Sequence, residues 1–196
     1  MKKLSAIFLI LCLVLTCFAA CGGTGDNDPS TSLKAPEESL DNVKVGSFEE
    51  FTAIDLSGKK ISSDIFKGKK LTMVNIWATF CGPCINEMPD IEKLSQEYAN
   101  EGLQVIGIVS DISNDSEGIY DEMLLNNALD IIKSTGVTYT NLLPSESLNT
   151  IKLSEVYSVP ETFFVDENGN VIGESYIGSR SFETWEEIVK GMLENM

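Results

Sequence analysis

Trp77-Ala78-Thr79-Phe80-Cys81-Gly82-Pro83-Cys84 is the stretch of sequence that decides the fold. It joins an apolar run at 71–77 to a helical pattern that begins at Ile85. A C-x-x-C pair at the point where a strand meets a helix is typical of sites for thiol–disulfide exchange. The helix N-terminus carries a partial positive charge and free N–H groups, which favour a thiolate over a thiol at Cys81. The thiolate is the form of cysteine that attacks a disulfide.

The remaining cysteines bear on two alternative uses of this pair, a structural disulfide or half of a zinc site. Zinc in proteins generally takes four ligands, mostly Cys and His. The chain has no histidine, and three of its five cysteines lie near the N-terminus, so no second pair is placed to complete such a site. We therefore expect exchange chemistry, with no metal and no cofactor. The five cysteines are Cys12, Cys17, Cys21, Cys81 and Cys84.

The N-terminus has the pattern of an export signal. Two basic residues, Lys2 and Lys3, precede an almost unbroken apolar segment at 4–18, and two alanines follow it. This segment is too short for a comfortable transmembrane helix, which needs about 20 apolar residues. Residues 1–20 are therefore predicted to be a signal peptide.

Cys21 directly follows this signal, and the stretch 18–23 resembles a bacterial lipoprotein signal, in which the cysteine becomes the lipid-modified first residue of the mature protein. Cys17 is a weaker candidate because Thr16 is a poor match to the small residue that precedes such a cysteine. An uncleaved N-terminal anchor is the alternative. In each case we expect the chain to be held at the extracytoplasmic face of the bacterial cytoplasmic membrane, where disulfides persist.

Composition divides the rest of the chain into a tether and one domain. Residues 21–43 are rich in Gly, Asp, Asn, Ser and Pro, which predicts a flexible tether. Residues 44–196 are long enough for a single domain with a sizeable core. The chain has 14 Lys and Arg against 30 Asp and Glu, a formal net charge of −16. Such a surface repels phosphate backbones, so we expect no nucleic-acid partner.

The domain is predicted to be α/β, with parallel and antiparallel strands in one sheet flanked by helices. Gly102 is the expected stop of the helix after the cysteine pair, Pro89 is expected to kink that helix, and Ser181 is the expected N-cap of the last helix. The expected elements are a hairpin at 51–61, a turn or short helix at 64–68, strands at 71–77, 103–109 and 138–143, helices at 83–100, 148–157 and 182–193, a helical pattern within 111–136, and a hairpin formed by 162–165 and 171–176.

Three motifs in this order and spacing resemble the TlpA/ResA-like class of membrane-tethered thiol–disulfide oxidoreductases, which have a thioredoxin fold. The resemblance covers residues 45–196. It implies a thioredoxin-like domain in which the first hairpin is an N-terminal extension and 111–136 is a possible central insertion. The motifs are Val74 to Cys84 together with Asn86-Glu87-Met88-Pro89, then Val159-Pro160-Glu161-Thr162-Phe163-Phe164-Val165-Asp166, and then Asn168-Gly169-Asn170-Val171-Ile172.

The resemblance also implies roles for individual residues. Cys81 would be the attacking nucleophile and Cys84, one turn inside the helix, the more buried resolving cysteine. Pro160 matches a cis-proline that faces the cysteine pair and presents the backbone of Val159 to an extended substrate. The residues expected to form the substrate groove are Trp77, Phe80, Gly82, Pro83, Val159 and Glu161, with a position in the core as the alternative for Trp77.

A proton carrier is needed as Cys84 cycles between thiol and thiolate. Glu87 lies one turn beyond Cys84 on the same helix face and matches a position where the family carries an acidic residue. Glu161, beside Pro160, is a second candidate. Thioredoxins proper carry a buried aspartate where this chain has Asn75, which leaves Glu87 or Glu161 as the substitute. For both glutamates a solvated or groove-rim position without chemistry is the alternative.

The function predicted from these features is reduction of disulfides in exported proteins by dithiol exchange. The resemblance implies apocytochrome c cysteines or methionine sulfoxide reductases as clients and a membrane thiol-transfer protein as the electron donor. An exported oxidase that forms disulfides is the main alternative, and a partner-binding lipoprotein without catalysis, acting through 111–136, is a further one. The stretch around Cys81 lacks the Pro/Thr signature of thiol peroxidases, so peroxidase activity is disfavoured.

Overall fold

The structure is a computed structural model that describes residues 32–36 and 46–196. The chain divides into two compact units, Met1–Thr31 and Ser32–Met196, and the first of these lies outside the described residues. The predicted signal peptide and the lipid site at Cys21 therefore also lie outside them. In the part of the chain that is described, no helix combines the length and the apolar character that crossing a membrane requires.

The described residues form seven strands and four α-helices, and their order follows the predicted one. Strands β1 and β2 form an antiparallel hairpin, and the other five strands form one sheet with the order β5-β4-β3-β6-β7. The strands are β1 Thr52–Ile54, β2 Lys60–Ser62, β3 Leu71–Trp77, β4 Leu103–Val109, β5 Thr140–Leu142, β6 Glu161–Val165 and β7 Val171–Ile177, and the helices are α1 Gly82–Glu97, α2 Glu122–Thr135, α3 Glu146–Ile151 and α4 Phe182–Glu194.

The five-stranded sheet is mixed, as predicted. Strand β4 runs parallel to β3 and β5, whereas β6 is antiparallel to both β3 and β7. All seven residues of β3 are buried, because this central strand is covered on both faces and paired along both edges. The strand that leads into the cysteine pair is therefore enclosed along its whole length.

Two helices end earlier than the sequence pattern indicates. Helix α1 ends at Glu97, and a separate 3-10 turn at Ala99–Glu101 leads to Gly102, whose φ of 103° ends the helical segment. Helix α3 begins at Glu146 because the Ser145 hydroxyl caps it, and it ends at Ile151 before a 3-10 turn at Leu153–Glu155. Ser181 caps α4 as predicted, and Pro89 lies inside α1.

Alternation along the strands divides the core into clusters on the two sheet faces. On one face Val74 and Ile76 pack with Phe163 and helix α3, and on the other Leu71 and Met73 pack with helices α1 and α4. A third cluster surrounds Trp77, Cys81 and Cys84 at the end of β3. The cysteine pair therefore lies at the apolar end of the sheet.

Residues 32–36, which we call the N-terminal strap, belong to the folded domain although composition assigned them to the flexible tether. Lys34 forms a β-bridge with Ile119, and the Ala35 N–H donates to the Gly118 carbonyl over 2.7 Å. Leu33 and Ala35 pack against the cluster that contains the two active-site cysteines. The strap is ordered because its backbone finds hydrogen-bond partners and its two apolar side chains find a core.

Gly107 in β4 is a position where two buried side chains leave no room for a Cβ. A Cβ built there would lie 1.9 Å from Asn141 Oδ1 and 3.2 Å from Trp77 Nε1. Those two atoms are themselves joined by a 2.9 Å hydrogen bond, donated by the indole N–H. Because residue 107 has no side chain, Asn141 can approach and accept the hydrogen bond of the buried Trp77 indole at the end of β3.

Substitution Gly107→Ala is expected to lower the free energy of unfolding by about 3 kcal/mol, because the added methyl group overpacks the core and displaces a buried hydrogen bond. Urea unfolding followed by tryptophan fluorescence measures the change. Gly191→Ala is the matched control, since a Cβ in α4 at that position meets nothing within 4 Å. It should raise stability by up to about 1 kcal/mol. Equal stabilities for the two variants would contradict the packing argument.

Candidate active site

The two cysteines of the C-x-x-C motif form a disulfide at the start of α1, with their Cα atoms 5.3 Å apart. Cys81 is the N-cap residue, and its Sγ accepts the Cys84 N–H over 3.2 Å. Cys81 is 6% exposed and Cys84 is fully buried. The geometry places Cys81 on the solvent side, and in the reduced pair the same N–H and the helix N-terminus favour a negative charge on its sulfur.

The turn between β3 and α1 is fixed by a carboxylate from the next crossover. Asp111 accepts the Thr79 backbone N–H over 3.0 Å and the Thr79 hydroxyl over 2.6 Å. The Ser110 N–H donates to the Trp77 carbonyl over 2.8 Å. Because these contacts hold Trp77 and Thr79 at the start of the turn, the position of Cys81 is defined by the residues that follow β4 as well as by β3.

Pro160 lies opposite the disulfide and is buried, and the Val159–Pro160 peptide bond is cis. The Val159 carbonyl oxygen lies 3.6 Å from Cys81 Sγ. The Pro160 carbonyl accepts the Gly178 N–H over 2.8 Å, which ties this turn to the end of β7. The structure thus brings Cys81, Cys84, Val159 and Pro160 together.

Exposed residues beside Cys81 form an open surface. Gly82 and Pro83 are exposed, and Phe80 is 78% exposed directly before the first cysteine. A cavity of about 250 Å³ opens between Phe80 and Val159. Tyr157, at 95% exposure, also lines it, and sequence reasoning missed this residue because the helix was expected to continue through it.

Trp77 is not part of that surface, and its expected place in a substrate groove is corrected. It is fully buried, and its indole N–H donates to Asn141 Oδ1. The reason is that β3 is enclosed on both faces up to its last residue. Trp77 therefore belongs to the core beneath the cysteine pair, which was the alternative for this position.

Glu161 is likewise buried and forms an ion pair with Lys152, whose Nζ lies 2.5 Å from Oε1. In the antiparallel register Glu161 is opposite Ile76, whereas Thr162 is opposite Asn75. Glu161 therefore faces the α3 side of the sheet, and its expected place at the rim of the groove is corrected. The register with β3, which local sequence does not reveal, decides its direction.

Glu87 is a buried carboxylate on the other face, beneath the cysteine pair, with 3% of its surface exposed. Its Oε1 accepts Asn75 Nδ2 over 3.2 Å, and its Oε2 accepts the Arg180 backbone N–H over 3.1 Å and Trp185 Nε1 over 3.3 Å. Three elements that are distant in sequence therefore converge on this one side chain. None of these donors can be predicted from the residues that neighbour Glu87 in sequence.

Burial raises the pKa of Glu87 above its ordinary value, because the charged form loses contact with water. The hydrogen bonds from Arg180, Trp185 and Asn75 and the positive charge of Arg180 offset part of that rise. A carboxyl whose pKa is raised in this way is suited to gain and lose a proton nearer to neutral pH.

Glu92 lies one and a half turns further along α1, and at this residue hydrogen bonding has a larger effect on the carboxyl group than burial. It accepts the Thr138 backbone N–H over 2.7 Å, the Thr138 hydroxyl over 2.6 Å and Gln96 Nε2 over 2.6 Å. Burial favours the neutral form here too, but these hydrogen bonds outweigh it and lower the pKa of Glu92. Glu92 is therefore a structural carboxylate that fastens α1 to the segment before β5.

Within the described residues, no three His, Cys, Asp or Glu side chains are grouped so that they could hold a metal ion. The chemistry that the arrangement supports is carried by the two sulfur atoms and a nearby buried carboxyl group.

Comparison with known proteins agrees with this geometry. Residues 41–185 match the Redoxin family. The chain is 29% identical to thiol-disulfide oxidoreductase ResA of Bacillus thuringiensis subsp. konkukian, over 97% of this chain and 98% of that protein. It is 30% identical to thiol:disulfide interchange protein DsbE of Vibrio cholerae, over 80% and 78% of the two chains.

A solved structure shares the architecture. It is a thiol:disulfide interchange protein of the thioredoxin family from Chlorobium tepidum, with a TM-score of 0.60 and 26% identity. The match covers 78% of this chain and 99% of that one. It confirms the predicted thioredoxin-like fold.

The opposite pKa shifts of Glu87 and Glu92 predict opposite pH dependences of stability. The raised pKa of Glu87 contributes stability that is present below about pH 4.5 and is lost as pH rises through the folded-state value. The lowered pKa of Glu92 contributes stability that is present above about pH 4.5 and is lost as pH falls through its folded-state value. Urea unfolding of oxidised wild type, Glu87→Gln and Glu92→Gln across this range measures both effects.

We expect the stability of wild type relative to Glu87→Gln to decline with rising pH above about 4.5. Relative to Glu92→Gln, the stability of wild type should decline with falling pH below about 4.5. Each variant is the control for the other, since both replace a buried carboxyl on α1. The same slope for both differences would show that the environments of the two groups are not distinct.

Proposed function

Because the chain belongs to the Redoxin family and is a thiol–disulfide oxidoreductase of the ResA/DsbE type, we propose that it reduces disulfides of exported proteins while anchored to the membrane by a lipid at Cys21. The observation that carries this proposal is the Cys81–Cys84 disulfide at the start of α1, with Cys81 towards solvent and Cys84 fully buried. This asymmetry suits one attacking and one resolving sulfur.

The reaction proceeds by two exchanges. The Cys81 thiolate attacks a client disulfide, so that a Cys81–client bond forms, the client S–S bond breaks and the first client sulfur leaves as a thiolate. The Cys84 thiolate then attacks Cys81 Sγ, which forms the Cys81–Cys84 disulfide and releases the second client thiolate. Two electrons pass from the cysteine pair to the client, and a membrane thiol-transfer protein restores the dithiol.

Glu87 serves this cycle as the proton carrier for Cys84. A fully buried thiol has no water to take its proton, and Glu87 is one turn away on the same face of α1. Glu161 is the weaker candidate because it faces the other side of the sheet and is paired with Lys152. The carboxylate of Glu87 takes the Cys84 proton as the thiolate forms, and the proton then passes to the departing client thiolate.

Reduction is favoured over oxidation by the residues between the cysteines. Gly82 and Pro83 match those of thioredoxin, whose potential of about −270 mV is reducing. The runner-up, a disulfide-forming oxidase, requires a potential closer to the value of about −120 mV known for DsbA. The clients that we propose are apocytochrome c cysteines or methionine sulfoxide reductase, as the family resemblance suggests.

An exposed surface supports contact with a folded or extended client chain. Phe80, Tyr157 and Val159 border the cavity next to Cys81, so an apolar segment beside a client cysteine has a place to pack. The cis bond before Pro160 leaves the Val159 backbone directed towards Cys81 Sγ. A peptide that pairs with Val159 brings its own sulfur to Cys81.

Trapping with single-cysteine variants tests the assignment. Cys84→Ser retains the nucleophile but cannot resolve the mixed disulfide, so we expect higher-mass adducts on non-reducing gels that disappear on reduction. Cys81→Ser is the matched control and should form none. Mass spectrometry of the adducts identifies the clients and the attached cysteine.

Adducts formed by the Cys81→Ser control through its remaining Cys84 would contradict the assignment of Cys81 as the nucleophile. The direction of electron flow is read from the potential of the Cys81–Cys84 couple in glutathione buffers. A value close to about −120 mV would favour the oxidase.

The anchor is tested by fractionation of cells. Cys21→Ser should move the protein from the membrane fraction to the soluble extracytoplasmic or culture fraction, because it removes the proposed site of lipid attachment. Cys17→Ser is the matched control and should leave the protein in the membrane. A Cys21→Ser protein that remains membrane-bound would indicate an uncleaved anchor in place of a lipid.

A further inference from the structure

Asn75 lies in the middle of β3, and its fully buried side-chain amide has one polar atom that makes no hydrogen bond within the described part of the chain. Its Nδ2 donates to Glu87 Oε1 over 3.2 Å and to Thr162 Oγ1 over 2.9 Å. Its Oδ1 has no hydrogen-bond partner among the residues that the structure describes. A buried polar atom without a partner is uncommon in folded proteins and calls for an explanation.

The two oxygens of Glu87 differ in what they face. Oε2 receives hydrogen bonds from the Arg180 backbone N–H and from Trp185 Nε1, and neither of these groups can accept one. A proton on Oε2 would therefore point at another donor. Oε1 faces the side chain of Asn75, so a proton on Glu87 belongs on Oε1.

In that protonated state the present orientation of Asn75 would set Nδ2–H against Oε1–H. Half a turn of the amide plane removes the conflict without changing its shape. Oδ1 then accepts the Glu87 Oε1–H and the Thr162 hydroxyl, whose proton is free to rotate. In one orientation the amide donates twice, and in the other it accepts twice.

We propose that Asn75 is a positioning residue that turns its amide over each time Glu87 gains or loses a proton. In the present orientation Oδ1 makes no hydrogen bond to the described residues, and after the turn it accepts from Glu87 and Thr162 while Nδ2 takes the place that Oδ1 now occupies. Both forms of Glu87 then have a hydrogen-bonded partner on β3, which keeps the carboxyl group in one place while its charge changes. The use of this turn in catalysis rests on the proposed function, whereas the turn itself does not.

The proton balance of the resolving step is complete with these groups. The Glu87 carboxylate takes the proton of the Cys84 thiol, and the electron pair of the S–H bond stays on sulfur. The thiolate attacks Cys81 Sγ, and the client sulfur leaves with the electron pair of the bond that breaks. Glu87 gives its proton up to that thiolate by way of solvent, and Asn75 turns back.

The other groups that face Glu87 do not replace this amide. Arg180 contributes a positive charge, with its guanidinium over the rings of Tyr176 and Trp185 and its Nη1 donating to the Gly178 carbonyl over 2.7 Å. Tyr139, from the segment before β5, interacts with Glu87 electrostatically. On α1, Cys84 lies one turn before Glu87. The groups from β6 and α4, Thr162 and Trp185, stay neutral.

A neutral amide also explains why a carboxylate is disfavoured at position 75. An ionised aspartate there would lie about as close to Glu87 as Asn75 does now, 3.2 Å between polar atoms, and would repel its charge. An apolar side chain would leave Oε1 without a partner in both states.

NMR of the oxidised full-length chain in detergent micelles tests the proposal. Above the pH at which Glu87 titrates, cross-peaks should join the Asn75 side-chain amide protons to Thr162. They should be lost as Glu87 is protonated, with the same midpoint as the side-chain carboxyl carbon of Glu87. Glu87→Gln mimics the protonated acid and should show the low-pH pattern at every pH.

Two controls accompany this measurement. The Asn141 amide is held by a donor and an acceptor, since Oδ1 accepts Trp77 Nε1–H and Nδ2 donates to the Tyr139 carbonyl, so its cross-peaks should not change. Glu92→Gln removes a buried carboxyl from the same helix and should leave Asn75 as in wild type.

Cross-peaks from Asn75 to Thr162 that persist through the titration of Glu87 would overturn the proposal. If Glu87→Gln fails to fold, the titration of wild type alone decides the outcome. Since the measurement needs no turnover, its failure is distinct from a failure of the trapping experiment.

Discussion

The structure depends on one constraint. The polar N-terminus of α1, which carries the reactive Cys81, follows strand β3, and β3 is shielded from water on both faces. Strand β3 is buried over its whole length, and Cys81 caps α1 four residues beyond its end. The junction is possible because Asp111 and Ser110, which follow β4, form hydrogen bonds with the backbone of the turn. Once the turn is fixed, one sulfur faces solvent and the other faces the core.

The same constraint governs Glu87. A carboxyl group placed beneath a buried thiol loses water, so its partners must come from the protein itself. They are supplied by β3, by the backbone before α4 and by α4, which ties the site to the elements that close the sheet. Stability and chemistry are coupled here, because the hydrogen bonds that Arg180 and Trp185 donate to Glu87 also offset part of the rise in its pKa that burial causes.

Much of this arrangement can be predicted from sequence, since its signals are local. The C-x-x-C pair, the turn at Asp166–Gly169 and the cap at Ser181 predict the strand–helix junction, the second hairpin and the start of the last helix. What cannot be predicted depends on register and on distant partners. The direction of Glu161 is decided by its pairing with Ile76, and the Arg180 N–H reaches Glu87 across 93 positions of sequence.

The N-terminal strap has a consequence for the limits of the folding unit. Leu33 and Ala35 cover part of the apolar cluster that contains Cys81 and Cys84, and Ser32 begins the compact unit of the chain. A truncation at residue 44, the boundary that composition suggests, would leave that cluster partly uncovered. A form of this enzyme that keeps its active-site core covered therefore includes the strap, and a cut between the strap and the first hairpin would leave Leu33 and Ala35 on a separate piece of chain.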